Sequence, residues 1–288
     1  MTFLQLHVLL WLCGAAMLVW IVPGRFARWA IALTTAAFLG VYAPVSLVLL
    51  LMSSAITVAL ARRSSSAAVL WSGVSLMAML LAWFKLGGLF PAIVPRRIFQ
   101  EAVPLGLSYY TFRQIHYLFE RMKNRLPEHG LLDFLAYMFF LPTLMVGPIN
   151  LFGDFARDLN RRRFDGAMLS RGLERVLFGY AKIVILGNYV ASFLVAKAIF
   201  KVQAGNPALA QYLDCLRHGA NLYFQFSGYC DVAIGFAAVM GFRIVENFHY
   251  PFIARNINDF WNRWHMSLSS FCRHYVFTPV ASAMRLPY

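Results

Sequence analysis

The chain has 288 residues, 60% of them hydrophobic and only 13% charged, with a mean hydropathy of +0.61. A water-soluble domain of this length is nearer half apolar and a quarter charged, so the composition excludes one. The net charge of +14, from 26 Lys and Arg against 12 Asp and Glu, reads as cationic loops held on the cytoplasmic face of a membrane rather than as a nucleic-acid surface.

The apolar residues are gathered into runs at 3–22, 29–60, 67–84, 131–149, 176–200 and 222–242. These approach or exceed the roughly 20 residues that a helix needs to cross a bilayer. Backbone polar groups inside lipid must be satisfied within the segment or its neighbours, which makes these runs helices. A transmembrane barrel would instead alternate over strands of about ten residues, and no such alternation is present. The four cysteines, Cys13, Cys215, Cys230 and Cys272, form no CxxC pair and read as small core residues, with neither a disulfide framework nor a metal site. The sequence shows no internal repeat and predicts a single membrane domain over 1–288, with N-terminal spans over 1–97 and a core over 98–280.

The first span is predicted at 3–22. It lacks the basic lead of a signal peptide and is too long for one, so it reads as uncleaved; Pro23-Gly24 ends it. Pro44 divides the next run into two short helices, 29–42 and 44–61. That division puts Arg25 and Arg28 on the same side as Arg62 and Arg63, which makes that side cytoplasmic and the N-terminus external. After the short polar turn Ser64-Ser65-Ser66, residues 67–90 form another span, with Lys85 snorkelling near its end and Gly87-Gly88 closing it. Pro91, Pro95, Arg96 and Arg97 mark a loop.

Residues 104–123 mix aromatics with Arg113 and His116, and 131–149 are interrupted by Pro142 and Gly147-Pro148. Both segments read as kinked, partly re-entrant helices packed inside the bundle. The polar stretch 150–175, with six arginines from Arg157 to Arg175, reads as cytoplasmic loop and surface helix. Spans at 176–201 and within 208–242 follow, with Lys182 inside the first and Asp231 inside the second. An amphipathic helix is predicted from about 256 to 275.

On that last helix Asn256 serves as the cap, and Asp259 and Arg263 are spaced for an ion pair. Ile257, Phe260, Trp261, Trp264, Leu268 and Phe271 share an apolar face, while Asn258, Asn262, His265 and Ser269 form a polar strip along it. His265 is therefore placed either as a proton acceptor among amides and hydroxyls or as an interfacial histidine facing headgroups. Asp231 lies between Gly228 and Gly235, which are seven apart and let another helix approach closely; a carboxylate there is paired or functional. Arg113 either holds a phosphate or carboxylate or pairs with an acid such as Asp231. The sequence holds no phosphate loop, nucleophile elbow or metal motif.

Several of these segments resemble the membrane-bound O-acyltransferase (MBOAT) family, in its alginate O-acetylation and teichoic-acid D-alanyl transferase branch. The blocks that carry the resemblance are Pro104 to Phe112, Val146-Gly147-Pro148-Ile149, Ser227-Gly228-Tyr229-Cys230-Asp231, Glu246 to Phe252, and Asp259 to Ser269. They are in the family's order over about 100–280. The resemblance implies an all-α polytopic transmembrane bundle in the cell (inner or plasma) membrane. It implies passage of an acyl group, acetyl in the first instance, from a cytoplasmic thioester to an extracytoplasmic polysaccharide. The donor, acyl-CoA or an acyl carrier protein, is an anionic partner, and no cofactor stays bound; other exopolysaccharide acetylation proteins and the bilayer are the remaining partners. His265 matches the family's first functional histidine, with Asn262, Ser269, Trp261, Trp264, Asp231 and Arg113 lining the pocket or supporting it. The family's second histidine, its principal catalytic one, belongs to a Trp-His block on a later helix, which has no counterpart before Tyr288, so the resemblance gives His265 an assisting role. The resemblance therefore predicts a bundle without its final helices: a fragment of an acyltransferase, or a short form acting as a non-catalytic membrane subunit. Gln225 and His274 also depart from the family pattern, which has acidic residues there.

Overall fold

The computed structural model describes residues 4–63, 66–86 and 104–284. The expected Ser64-Ser65-Ser66 turn falls largely outside these residues; the Gly87-Gly88 ending and the Pro91–Arg97 loop fall wholly outside them.

Helix α1 (Leu6–Ile21) runs for 16 residues, shorter than the predicted first span. A brief turn through Gly24–Phe26 leads into α2 (Ala27–Tyr42). Pro44 then opens α3 (Pro44–Arg63), and α4 (Ala67–Leu86) follows. The division at Pro44 is the expected one: proline cannot donate the backbone bond that would continue α2, but it fits the first position of a new helix.

The interior of the bundle is made by shorter pieces. Helix α5 (Leu107–Met122) starts at Gly106, whose φ of +76° suits glycine; a Cβ there would meet the Leu144 carbonyl oxygen at 2.5 Å. Helices α6 (Leu131–Met138) and α7 (Pro142–Met145) break as the two prolines predict, and Phe134 and every residue from Ala136 to Met145 are buried. Helix α8 (Phe152–Arg161) is the surface helix expected in the basic stretch.

The rest of that stretch is a correction. Asp165 caps a helix that begins at Gly166, its carboxylate accepting from the Ala167 and Met168 amides at 2.9 and 3.2 Å. This helix, α9 (Gly166–Ala181), widens into π turns over Lys182–Val195 and continues as α10 (Ala196–Gln203). Residues 166–203 are thus one rod of 38 residues, not a loop followed by a span. An amphipathic first third outside the membrane can continue a span without a break, so hydropathy alone set the start too late.

Helix α11 (Pro207–Val239) returns antiparallel, capped by Asn206 through the Leu209 amide at 3.0 Å. Glycines make the α9–α11 contact close. A Cβ on Gly228 would stand 2.8 Å from the Gly179 carbonyl, and one on Gly235 2.7 Å from that of Gly172. Among the described residues four helical stretches, Pro44–Arg63, Ala68–Lys85, Gly166–Gln203 and Pro207–Val239, are long and apolar enough to cross a membrane. Their large apolar side chains face outward, with Leu177 70% and Phe200 74% exposed, as a protein solvated by hydrocarbon requires. Among the described residues no strand forms beyond one isolated antiparallel bridge, Phe248 to Trp264. The molecule is an all-α membrane protein.

The predicted helix over 256–275 is broken, which is a second correction. Helix α12 (Ile257–Trp261) is capped by Asn256 as expected (2.9 Å to the Asp259 amide), and Arg263 pairs with Asp259 at 2.7 Å. The chain then turns through 262–265, and a new helix, α13 (Met266–Cys272), starts after His265. It continues through Arg273–Phe277 into α14 (Thr278–Ala283). The cysteines are a third correction: Cys230 is buried, whereas Cys13, Cys215 and Cys272 lie at the surface of the bundle.

Candidate functional site

The break at 262–265 builds the site. His265 has φ +46° and ψ +51°, a left-handed conformation uncommon outside glycine. It is held there because the segment is zipped to the loop after α11. The His249 amide donates to the Arg263 carbonyl at 2.9 Å, and the Met266 amide donates to the Asn247 carbonyl at 3.0 Å. Aromatic rings cover the zip: the edge of Phe248 meets Trp264 at 5.1 Å, Phe260 stacks on Trp264 at 5.6 Å, and Phe226 meets the His265 ring edge-on at 4.9 Å.

Asn247 is the hub. Its side chain is buried, and its Oδ1 accepts from the Ser267 amide at 3.1 Å and the Ser267 hydroxyl at 2.8 Å; His265 Nδ1 lies 3.1 Å from the same oxygen. Its Nδ2 donates to Cys230 Sγ at 3.3 Å, and Ser267 Oγ accepts from the Ile149 amide at 3.0 Å. Four of the blocks singled out in the sequence therefore meet within one set of hydrogen bonds. Burial pushes the His265 imidazolium down to about 4, so at neutral pH the ring is uncharged.

A charged cluster adjoins the hub. Asp231 accepts from Arg175 (Nε at 3.1 Å, Nη2 at 2.9 Å) and from Lys182 Nζ at 2.5 Å. Arg175 also grips Glu246 with both of its terminal nitrogens. Together with Tyr223, Ser227, Asn247 and the loop 248–250, these residues line a cavity of about 420 Å³. A second, more apolar cavity of about 320 Å³ is lined by Ile149, Met266, Ser267, Ser270, Phe271, His274 and Tyr275 among others. Glu246 touches both cavities. His265 is in the lining of neither; its partner Asn247 lines the first cavity, and Ser267, bonded to the same Asn247 oxygen, lines the second.

The structure gathers only some of the sequence-predicted residues. Asp231 is paired, as one of its two readings had it, and its partners are Arg175 and Lys182. Arg113 is in neither cavity. It donates from Nη1 to the Tyr137 carbonyl at 2.9 Å and from Nη2 to the Thr143 hydroxyl, closing the carbonyl end of α6 where proline prevents the helix from continuing. Trp264 packs in the aromatic cover, while Trp261 and Asn262 are exposed. Ser269 donates to the Trp261 carbonyl at 3.2 Å, and Asn262 accepts from Arg273 at 3.2 Å; both fasten the turn. The polar strip Asn258–Asn262–His265–Ser269 does not exist as a helix face, because the helix breaks inside it. Asn247, Ser267 and Arg175 were not singled out in the sequence. Asn247 and Ser267 lie inside two of the motif blocks, but each has other polar residues within two positions, so nothing in the local pattern sets them apart. Among the described residues no group of three His, Cys, Asp or Glu side chains is gathered as a metal would need.

The family model "MBOAT, membrane-bound O-acyltransferase family" matches residues 47–287. The chain belongs to that family. Among its MBOAT relatives, the "Probable alginate O-acetylase AlgI" of Pseudomonas aeruginosa is 38% identical over 177 residues, 61% of this chain and 33% of that protein. The "Teichoic acid D-alanyltransferase" of Bacillus subtilis is 34% identical over 60% of this chain and 44% of its own length. The "Peptidoglycan O-acetyltransferase" of Helicobacter pylori is 29% identical over 62% and 39%. The matched part is thus between a third and under a half of each relative's length.

Proposed function

We propose that this MBOAT protein carries out acyl transfer, moving an acyl group from a cytoplasmic thioester to hydroxyls of an extracytoplasmic polysaccharide across the inner or plasma membrane. The relatives are named for the transfer of acetyl or D-alanyl groups, which supports an acyl substrate and a polymeric acceptor. The observation that carries the reading is His265, neutral at pH 7 and anchored through Nδ1 at the meeting point of the motif blocks. A neutral imidazole can take the proton of an attacking hydroxyl as its oxygen bonds to the thioester carbonyl carbon. The carbon–sulfur bond then breaks and the thiolate leaves with that proton. The +14 charge favours an anionic donor, acyl-CoA or an acyl carrier protein. Other proteins of polysaccharide acetylation are the natural partners of such a step.

The test is transfer of labelled acetyl from acetyl-CoA or acetylated carrier protein to polysaccharide in membranes containing the protein. His265→Ala is expected to lower the rate by about 10²-fold or more, the range of a lost general base. Transfer that is indifferent to this substitution, or none from the unaltered protein, would favour a non-catalytic membrane subunit instead.

A further inference from the structure

His265 has two ring nitrogens, and the hydrogen-bond pattern around Asn247 distinguishes them. The Ser267 amide can only donate, so the Asn247 side-chain atom 3.1 Å from it is the oxygen, and the amide orientation is thereby fixed. The other end agrees, since Nδ2 faces Cys230 Sγ at 3.3 Å. An amide oxygen is an acceptor only. The His265 nitrogen 3.1 Å from it must therefore carry the hydrogen, because two lone pairs at that distance repel.

We infer that Asn247 is a positioning residue that holds His265 as the Nδ1–H tautomer and leaves Nε2 as the nitrogen open to a proton. A neutral imidazole carries one ring hydrogen, so fixing it on Nδ1 empties Nε2. The hub is built to keep this arrangement. Asn247 is buried, its own carbonyl receives the Met266 amide at 3.0 Å, and Ser267 ties it to Ile149. Phe226, edge-on at 86°, limits the tilt of the imidazole ring. Charged groups on the packed segments are engaged elsewhere: Glu246 with Arg175, Asp231 with Arg175 and Lys182, Arg263 with Asp259. The tautomer is therefore set by a neutral amide. The use made of Nε2 rests on the acyl-transfer reading above; the tautomer itself does not.

The test is nitrogen NMR of the ¹⁵N-histidine-labelled protein in lipid nanodiscs, with the His265 signals assigned by their loss in His265→Gln. The expected spectrum at pH 7 has a protonated Nδ1 and a bare Nε2. A protonated Nε2 in the unaltered protein overturns the inference. In Asn247→Leu the two tautomers should mix, and acyl transfer should fall about tenfold in kcat with KM little changed, the size of one lost hydrogen bond. Asn247→Asp keeps the acceptor and should restore the Nδ1–H signal, while its charge moves the titration of His265 upward. An Asn247→Leu protein that stays folded and keeps a single Nδ1–H tautomer also overturns the inference. If the unaltered protein has the Nδ1–H tautomer but transfers no acyl group, the function fails and the positioning stands.

Discussion

Asp231 is 8% exposed and receives two cations, one on the same helical rod as the other and seven residues before it. The sequence marked it as a carboxylate either paired or functional, since an isolated charge between close-packed glycines is too costly, and the structure shows the pairing. The sequence did not name the partners. Arg175 counted as loop because its helix begins ten residues before the apolar run, and Arg113 was an equal candidate because buried arginines look alike in a sequence. What separates them is tertiary: Arg113 is spent on the open carbonyls of α6, and Asn247 gains its role only when two loops are laid side by side. The pairing predicts an asymmetry between the two acids. Asp231→Ala removes the carboxylate that Lys182 bonds and leaves Arg175 with Glu246, and should cost about 1–3 kcal/mol, less than a wholly buried pair because both cations reach the surface. Glu246→Gln, at a carboxylate 48% exposed, should cost under about 1 kcal/mol. Thermal unfolding in detergent compares them; equal losses would mean that the cluster is a surface network.

Among the elements, the α9–α11 pair was the most legible. The seven-residue spacing of Gly228 and Gly235 foretold a close approach, and the partner helix answers with Gly172 and Gly179 at the same spacing. Such contacts leave no room for a side chain. Gly235→Leu would drive its Cβ into the Gly172 carbonyl and the Val176 side chain, and should destabilise the bundle by about 2–3 kcal/mol or force the helices apart. Gly219 lies on the same helix with open space around it, so Gly219→Ala should be neutral or gain up to about 1 kcal/mol from helix propensity. The midpoint of thermal unfolding, measured for both, separates packing from propensity; if both fall together, the interface is not where the glycines place it. The break at 262–265 was illegible for the opposite reason. The apolar residues of 257–271 keep a helical period, and only the zip to 247–249 overrides it.

The whole molecule sorts its charges by end. Arg28 bonds to Asp133 and Asn160, Arg121 to the Ala61 carbonyl at 3.1 Å, Arg162 to the Val19 carbonyl at 2.8 Å, and Trp20 to the Val239 carbonyl at 2.8 Å. These contacts bring the ends of α1, α3, α5 and α11, the starts of α2 and α6, and helix α8 to one level, where Arg62, Arg63, Arg157, Arg161 and Arg163 also lie. Lys85, Lys197 and Lys201 sit one helix length away, at the other end. The segregation expected from the sequence survives the change in where α9 begins, because Arg171 and Arg175 stay near the basic end whether they are loop or helix. Positive residues are retained on the cytoplasmic side, which directs the loop between α10 and α11 outward. With the surface cysteines Cys13, Cys215 and Cys272 replaced by serine, a cysteine at Gly205 should react with a membrane-impermeant maleimide on intact cells. A cysteine at Arg163 should react only after the membrane is opened. The reverse pattern would invert the protein and place the Arg175–Glu246 cavity on the outer half of the bilayer, out of reach of the cytoplasmic thioester that the proposed function requires. The labelling experiment therefore tests the direction of transfer as well as the topology.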